Sequence, residues 1–190
     1  MKSKIVFIGC ILLGGCVATN PVVTDGRIDA AEFKVGFVIP DQNEASMQYQ
    51  EKRSSRGDWL QTLTWNGGGR VKRFVMEVVD MNGLSYFADR RAFSESVPKL
   101  DPSLKSTSIK FGVKHSIMGK TGVVTGQRFD VESMECVAFH AALRLHPETG
   151  YRGLGDGGIG GYYCAPSGVS LGGRTVLKFL SSIYYKGKTL

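Results

Sequence analysis

Cysteine and histidine are the residue types in this chain whose spacing could support nucleophilic catalysis. Cys136 and His140 lie four positions apart, so they would share a face of either a helix or a strand. A thiol whose pKa is lowered by a neighbouring histidine is a nucleophile, and such a dyad could serve a cell-wall or lipid hydrolase. That hypothesis requires a free thiol at Cys136. His115 and His146 are the other histidines, and they lack the paired spacing of a zinc site.

A glycine-dense segment runs from Gly150 to Gly161 and contains the pattern G-x-G-x-x-G. A dinucleotide-binding fingerprint must leave a strand and open a helix. Here the segment follows a turn at His146 and Pro147 and precedes a predicted short strand, so we predict a loop and no cofactor. The hydrolase motif G-x-S-x-G and the zinc motif H-E-x-x-H do not occur in the sequence.

Basic residues form three groups that we expect in exposed loops and turns. Arg70, Lys72 and Arg73 come directly after a glycine-rich turn, where the tip of a hairpin often makes contacts. We predict this group as a contact for an anionic partner, such as lipid headgroups or an acidic envelope polymer. The other two groups are Lys52, Arg53 and Arg56, and Arg90 and Arg91.

The first residues of the chain are typical of an exported protein. A basic start is followed by a short apolar run and a pair of small residues before a cysteine: Lys2 and Lys4, Ile5 to Leu13, Gly14 and Gly15, then Cys16. The apolar run is too short to span a bilayer as a helix. Over residues 1–16 only, the segment resembles the lipobox of bacterial lipoproteins.

That resemblance implies a location and an anchor. Residues 1–15 would be removed as a signal peptide, and Cys16 would carry acyl chains such as palmitate that hold the protein on an envelope membrane. Val17 follows in place of the Asp that retains some lipoproteins at the inner membrane, which favours the outer membrane, facing the periplasm. Nucleic acid is therefore not an expected partner.

Export changes the expected state of the remaining cysteines. Cys10 would leave with the signal peptide and Cys16 would be acylated, so Cys136 and Cys164 remain as a pair in an oxidising compartment. We therefore predict a disulfide between Cys136 and Cys164. It would close a loop of about 29 residues and contribute about 3.6 kcal/mol of stability in the chain-entropy description.

Composition indicates one globular domain. The chain has 190 residues, of which 42% are hydrophobic, and a formal net charge of +7 that includes Lys2 and Lys4. We predict a flexible tether over residues 16–32 and a single domain over residues 33–190. Alternating hydrophobicity predicts strands at 33–39, 107–113, 121–125, 127–132 and 135–145 and a hairpin of strands 58–65 and 70–79. Residues 41–57 are predicted as a loop or short helix, and residues 84–97 as a helix stopped by Pro98.

The end of the domain is predicted to be a helix. Val176, Phe179, Leu180 and Ile183 form one apolar stripe, with Ser170 as the cap and Gly187 at the end. The fold class is therefore α+β, a mostly antiparallel sheet with this C-terminal helix packed on it. Because side chains alternate along a strand, part of the two tyrosine pairs, Tyr162 and Tyr163 and also Tyr184 and Tyr185, is expected at the surface.

The sequence thus favours a membrane-anchored envelope lipoprotein that acts as a binding or assembly module without catalysis. Two alternatives stay open. One is a cell-wall or lipid hydrolase that uses Cys136 and His140. The other is a lipoprotein subunit of a secretion or conjugation assembly, held by its contacts with other envelope proteins.

Overall fold

An antiparallel sheet organises the computed structural model, which describes residues 22–39, 46–55, 57–80, 92–145 and 157–187. The sheet has eight strands in the spatial order β1-β3-β4-β5-β9-β8-β7-β6. These strands are β1 (Val22–Arg27), β3 (Gln48–Ser54), β4 (Trp59–Trp65), β5 (Phe74–Asp80), β6 (Ile109–Gly119), β7 (Gly122–Val131), β8 (Met134–Leu143) and β9 (Gly157–Cys164). The short strands β2 (Val35–Gly36) and β10 (Tyr184–Tyr185) pair with each other. The helices of the described residues are α1 (Phe93–Leu100), followed by a 3₁₀ turn at Pro102–Ser106, and α2 (Gly173–Ser182).

Both faces of the sheet bury apolar side chains. On one face, which we call the α2 face, Leu63, Phe74 and Phe139 pack with α2. On the opposite α1 face, Val75 and Tyr162 pack with α1 and the 3₁₀ turn. The prediction of a mostly antiparallel sheet with a C-terminal helix is confirmed, although strands far outweigh helices.

Burial on both faces of the sheet explains why the expectation of exposed tyrosine is wrong for Tyr162 and Tyr163, while Tyr184 and Tyr185 are half-buried. Tyr162 and Tyr163 are 0% and 1% exposed. Tyr162 points into the α1 face and Tyr163 into the α2 face, as strand alternation requires. Neighbours on β9 therefore point into two different cores instead of into one core and solvent.

The terminal helix buries the predicted stripe but ends differently from the prediction. Val176, Phe179, Leu180 and Ile183 are all buried. The helix begins after Gly172, with no side-chain cap, and ends at Ser182. Gly187 is not its terminator, because the chain turns at once into β10 and pairs with β2.

Two polar strands lie where the sequence predicted none. β1 occupies part of the predicted tether at residues 16–32, and β3 occupies part of the predicted loop or helix at 41–57. They pair with each other at one edge of the sheet. Side chains near an edge are only partly covered, so these strands lack the apolar alternation that identifies a strand in sequence.

Other boundaries moved. The predicted strands at 121–125 and 127–132 form the single strand β7, and the predicted strand at 107–113 corresponds to β6. Of the predicted strand at 33–39, only residues 35–36 pair with another strand, as β2. Helix α1 continues past Pro98 to Leu100, and residues 84–91 of the predicted helix lie outside the described residues. Strand β9 begins at Gly157, inside the segment predicted as a loop; residues 150–156 are outside the described part.

A buried amide fastens the segment before β2 onto the α2 face. Gln61 is 1% exposed. Its Oε1 accepts a hydrogen bond from the Lys34 amide at 2.7 Å, while its Nε2 donates to the Glu32 carbonyl at 3.2 Å and to the Glu51 carboxylate at 2.7 Å. Gln61 therefore satisfies backbone groups that would otherwise be left unpaired at this edge of the core.

We predict that Gln61→Leu lowers the free energy of unfolding by about 2 kcal/mol, because the amide of Lys34 and the carbonyl of Glu32 lose their partner. Urea denaturation followed by circular dichroism measures this. Gln50→Leu, at an exposed position of the neighbouring strand, is the control and should change stability little. Equal effects of the two substitutions would contradict the role assigned to Gln61.

Candidate functional site

The disulfide joins two neighbouring strands in the interior of the sheet. Cys136 on β8 is the register partner of Cys164 on β9. The two sulfurs are bonded, and both side chains are fully buried. The predicted disulfide is therefore present, between neighbours that the sheet already aligns.

Strand geometry separates the proposed Cys–His dyad. Cys136 and His140 both lie on the α1 face of β8, but four residues of strand span about 13 Å. The His140 ring packs against Phe93, with centroids 5.2 Å apart, and the Cys136 sulfur is bonded to Cys164. The hydrolase hypothesis thus has neither a free thiol at Cys136 nor a histidine within reach of it.

The predicted anionic contact at Arg70, Lys72 and Arg73 is divided by the fold. The Arg73 guanidinium lies 4.5 Å from the centre of the Trp65 ring, on the α2 face. The Lys72 amide donates to Asp101 at 3.3 Å, on the other face. Arg70 is exposed and donates to Ser106 at 3.0 Å. The group remains a prediction, in which the Arg73 guanidinium lies against Trp65 while Arg70 is exposed.

A depression of about 640 Å³ near the β7–β8 turn is lined by Lys110 and three carboxylates, Asp130, Glu132 and Glu135, among others. Glu135 is already engaged by Arg128 at 2.6 Å and by the Leu171 amide at 2.8 Å. No cluster of three or more His, Cys, Asp or Glu side chains suited to a metal exists among the described residues. In the same part of the chain, no helix has the length and apolarity to span a membrane.

Sequence analysis missed a line of polar residues across the α1 face. Residues paired between neighbouring strands lie on the same face of the sheet. One residue from each strand can therefore be followed, partner by partner, from β4 across to β6. We call this line the polar row: Thr62, Glu77, Gly160, His140, Thr125 and Ser116. In the sequence its only sign is Glu77, a carboxylate in the otherwise apolar strand Phe74–Asp80.

Glu77 is a poorly accommodated charge. Its side chain is half-buried, and burial raises its pKa, with a smaller opposing effect from Lys72. Within the described residues, no group donates a hydrogen bond to this carboxylate. A carboxylate held this way costs stability when ionised, and such groups concentrate at functional sites.

Gly160 leaves space beside that carboxylate. A Cβ at Gly161 would lie 2.2 Å from the Val75 carbonyl oxygen, so that position must be glycine. A Cβ at Gly160 would meet only the Phe139 carbonyl oxygen, at 3.8 Å, an ordinary contact. Backbone packing therefore does not require glycine at 160. Glycine therefore leaves a slot without a side chain between Glu77 and His140, which lie two strand spacings or about 10 Å apart.

The polar row can both donate and accept hydrogen bonds. Thr125 and Ser116 share a hydrogen bond at 3.2 Å between their hydroxyl oxygens, and Phe93 adds an apolar ring beside His140. Hydroxyl and imidazole groups donate as well as accept. A carboxyl with a raised pKa does so over a wider pH range than an ordinary one.

We predict that Glu77→Gln makes the protein more stable than the wild type at pH 7, and that this difference shrinks as the pH falls toward 4. The raised pKa of Glu77 means that its contribution is most favourable below the unfolded value, about 4.3, and is lost as pH rises through the folded value. Thermal unfolding across this pH range measures the difference.

Glu135→Gln is the control of opposite sign. The hydrogen bond from the Leu171 amide lowers the pKa of Glu135, so its removal should reduce stability at pH 7 and matter less as the pH falls through that lowered value. If Glu77→Gln instead destabilised the protein at pH 7, the carboxylate would have a favourable partner and the assignment would be wrong.

Comparisons with known proteins add no relatives to this picture. No protein-family model matches the chain, and neither a curated protein nor a solved structure is similar to it. The function must therefore be argued from the residues of this chain and their arrangement.

Proposed function

We propose that the protein is a lipid-anchored envelope protein whose domain binds a hydroxyl-rich polymer of the cell envelope, a glycan, along the polar row. The observation that carries this proposal is the half-buried Glu77 carboxylate, to which none of the described residues donates a hydrogen bond, beside the slot without a side chain at Gly160. Sugar hydroxyls both donate and accept hydrogen bonds, which matches side chains that do the same.

The envelope location is supported by the sequence and by the cysteines. Residues 1–16 resemble a lipobox, which implies acylation at Cys16. The bond between Cys136 and Cys164 is compatible with folding in an oxidising compartment. Neither observation depends on the polar row, so location and ligand can be tested separately.

Binding is favoured over catalysis by the layout of the row. Its members come one from each strand, about 5 Å apart, along a line across the sheet. A catalytic site needs groups that converge on one reacting atom within hydrogen-bond distance. A line of groups instead suits an extended ligand that contacts several strands in turn.

We predict that Cys16→Ser releases the protein from the membrane fraction into the soluble periplasmic fraction. The reason is that the thioether-linked acyl chain needs the cysteine sulfur. Labelling with radioactive palmitate and fractionation of the cells measure this. Label retained on the Cys16→Ser variant would contradict the anchor.

We predict that Gly160→Val weakens binding to isolated cell-wall sacculi by at least about tenfold, because the new side chain fills the slot between Glu77 and His140. Co-sedimentation measures the bound fraction. Gly26→Val is the matched control, since a Cβ at this strand position meets nothing within 4 Å. If wild type and both variants sedimented alike, or if none sedimented, the polar row would not be a glycan site.

A further inference from the structure

The β6–β7 turn carries an exposed apolar pair. Met118 and Val123 are opposite each other in the register, next to the turn, and are 73% and 51% exposed. Both lie on the α1 face, away from α1 itself. Exposed apolar pairs at the tip of a hairpin are unfavourable in water unless something covers them.

The turn is held firmly from its other side. The Tyr185 amide donates to the Thr121 hydroxyl at 3.0 Å. The Lys120 ammonium lies 4.8 Å from the centre of the Tyr184 ring. Strand β10 thus fixes the turn and places a lysine and a tyrosine beside the apolar pair. We call Met118, Lys120, Val123 and Tyr184 the hairpin tip.

We propose that the hairpin tip rests on the lipid headgroups of the membrane that carries the anchor. This inference rests on the proposed acylation of Cys16. The composition of the tip is that of a membrane interface, where apolar side chains enter the acyl boundary and tyrosine lies at headgroup level. Lysine adds about 1 kcal/mol of attraction to an anionic surface.

The charge of the β6–β7 hairpin favours anionic lipid over a basic protein surface as the partner of the hairpin tip. From residue 109 to residue 129 the chain contains no aspartate or glutamate but does contain Lys110, Lys114, Lys120 and Arg128. The part of the β6–β7 hairpin nearest the turn therefore carries lysines and no carboxylate, whereas Asp130 lies at the far end of β7. A second copy would bring like charges together, whereas anionic headgroups complement them.

The sheet register places the tip on the anchored end of the domain. β1 begins at Val22, opposite Ser54. The same end of the sheet continues through Trp59, Asp80, Gly157 and Leu143 to the β6–β7 turn. Five residues lie between Cys16 and Val22, and this stretch reaches at most about 20 Å. An acylated Cys16 would thus hold the β1 corner of this end near the bilayer, while the β6–β7 turn lies at the same end of the opposite edge of the sheet.

Weak contact is enough for this role. Two apolar side chains and one lysine contribute only a few kcal/mol, too little for firm binding alone. For a chain already held by acyl chains, the local concentration of membrane is high, so the tip sets orientation instead of attachment.

The test uses the acylated full-length chain in vesicles of phosphatidylethanolamine and phosphatidylglycerol that contain a headgroup-labelled nitroxide lipid. A fluorophore is attached at Val123→Cys or, as the control, at Val169→Cys. Both positions are 51% exposed, but Val169 follows the Cys164 end of β9, the opposite end of the sheet. Quenching several-fold stronger at 123 than at 169 is expected. Equal quenching, or stronger quenching at 169, overturns the inference.

A second measurement does not depend on acylation. The Cys16→Ser chain should bind these vesicles weakly, and Met118→Glu with Val123→Glu should reduce that binding by about tenfold, whereas Val169→Glu should not. If the paired substitution has no effect, or if it instead breaks up a dimer, the inference fails. If Cys16 carries no lipid, the proposed function fails, while the vesicle result still tests the tip by itself.

Discussion

The fold depends on the close approach of three strand backbones at β9. This strand lies between β5 and β8 and joins the unit β1-β3-β4-β5 to the unit β8-β7-β6. A Cβ at Gly157 would lie 2.7 Å from the Val79 carbonyl oxygen, and one at Gly161 would lie 2.2 Å from that of Val75. Glycine is therefore a condition for closing the sheet. The bond between Cys136 and Cys164 then secures the seam covalently at one end of β9.

The two faces of the sheet differ in how completely they are covered by packed side chains. The α2 face is filled by aromatic packing, with Phe74, Phe139 and Phe179 within 5.4 to 6.4 Å of one another. The α1 face is packed near α1 and the 3₁₀ turn, where the Tyr162 hydroxyl donates to the buried Asp101 carboxylate at 2.8 Å. Beyond that packed end, the same face bears the polar row and the hairpin tip. The proposed binding surface and the proposed membrane-facing end can therefore share one sheet without disturbing its core.

Sequence patterns predicted helices and strands best where one face of the element, or the whole element, is buried. The stripe on α2 and the hairpin of β4 and β5 followed from apolar periodicity, and the disulfide followed from counting cysteines in a chain that was expected to be exported. The edge strands β1 and β3 were missed because polar side chains on a half-covered strand carry no period. The Cys136–His140 dyad failed because a shared face says nothing about separation, and a strand extends four residues over about 13 Å. Arg70, Lys72 and Arg73 are close in sequence, yet the Arg73 guanidinium contacts Trp65 on the α2 face while the Lys72 amide donates to Asp101 on the other face.

The sequence by itself determined the class of fold, the disulfide partners and the expectation of an acylated Cys16, because composition, periodicity and compartment are local or countable properties. Only the tertiary structure decided what β9 contacts and which residues lie in one line. Glu77, Gly160 and His140 belong to three strands that are far apart in the chain, and only the register of β5, β9 and β8 brings them together. The same register sets the start of β1 and the β6–β7 turn at one end of the sheet. Backbone hydrogen bonding between distant segments fixes both arrangements, and no local pattern records it.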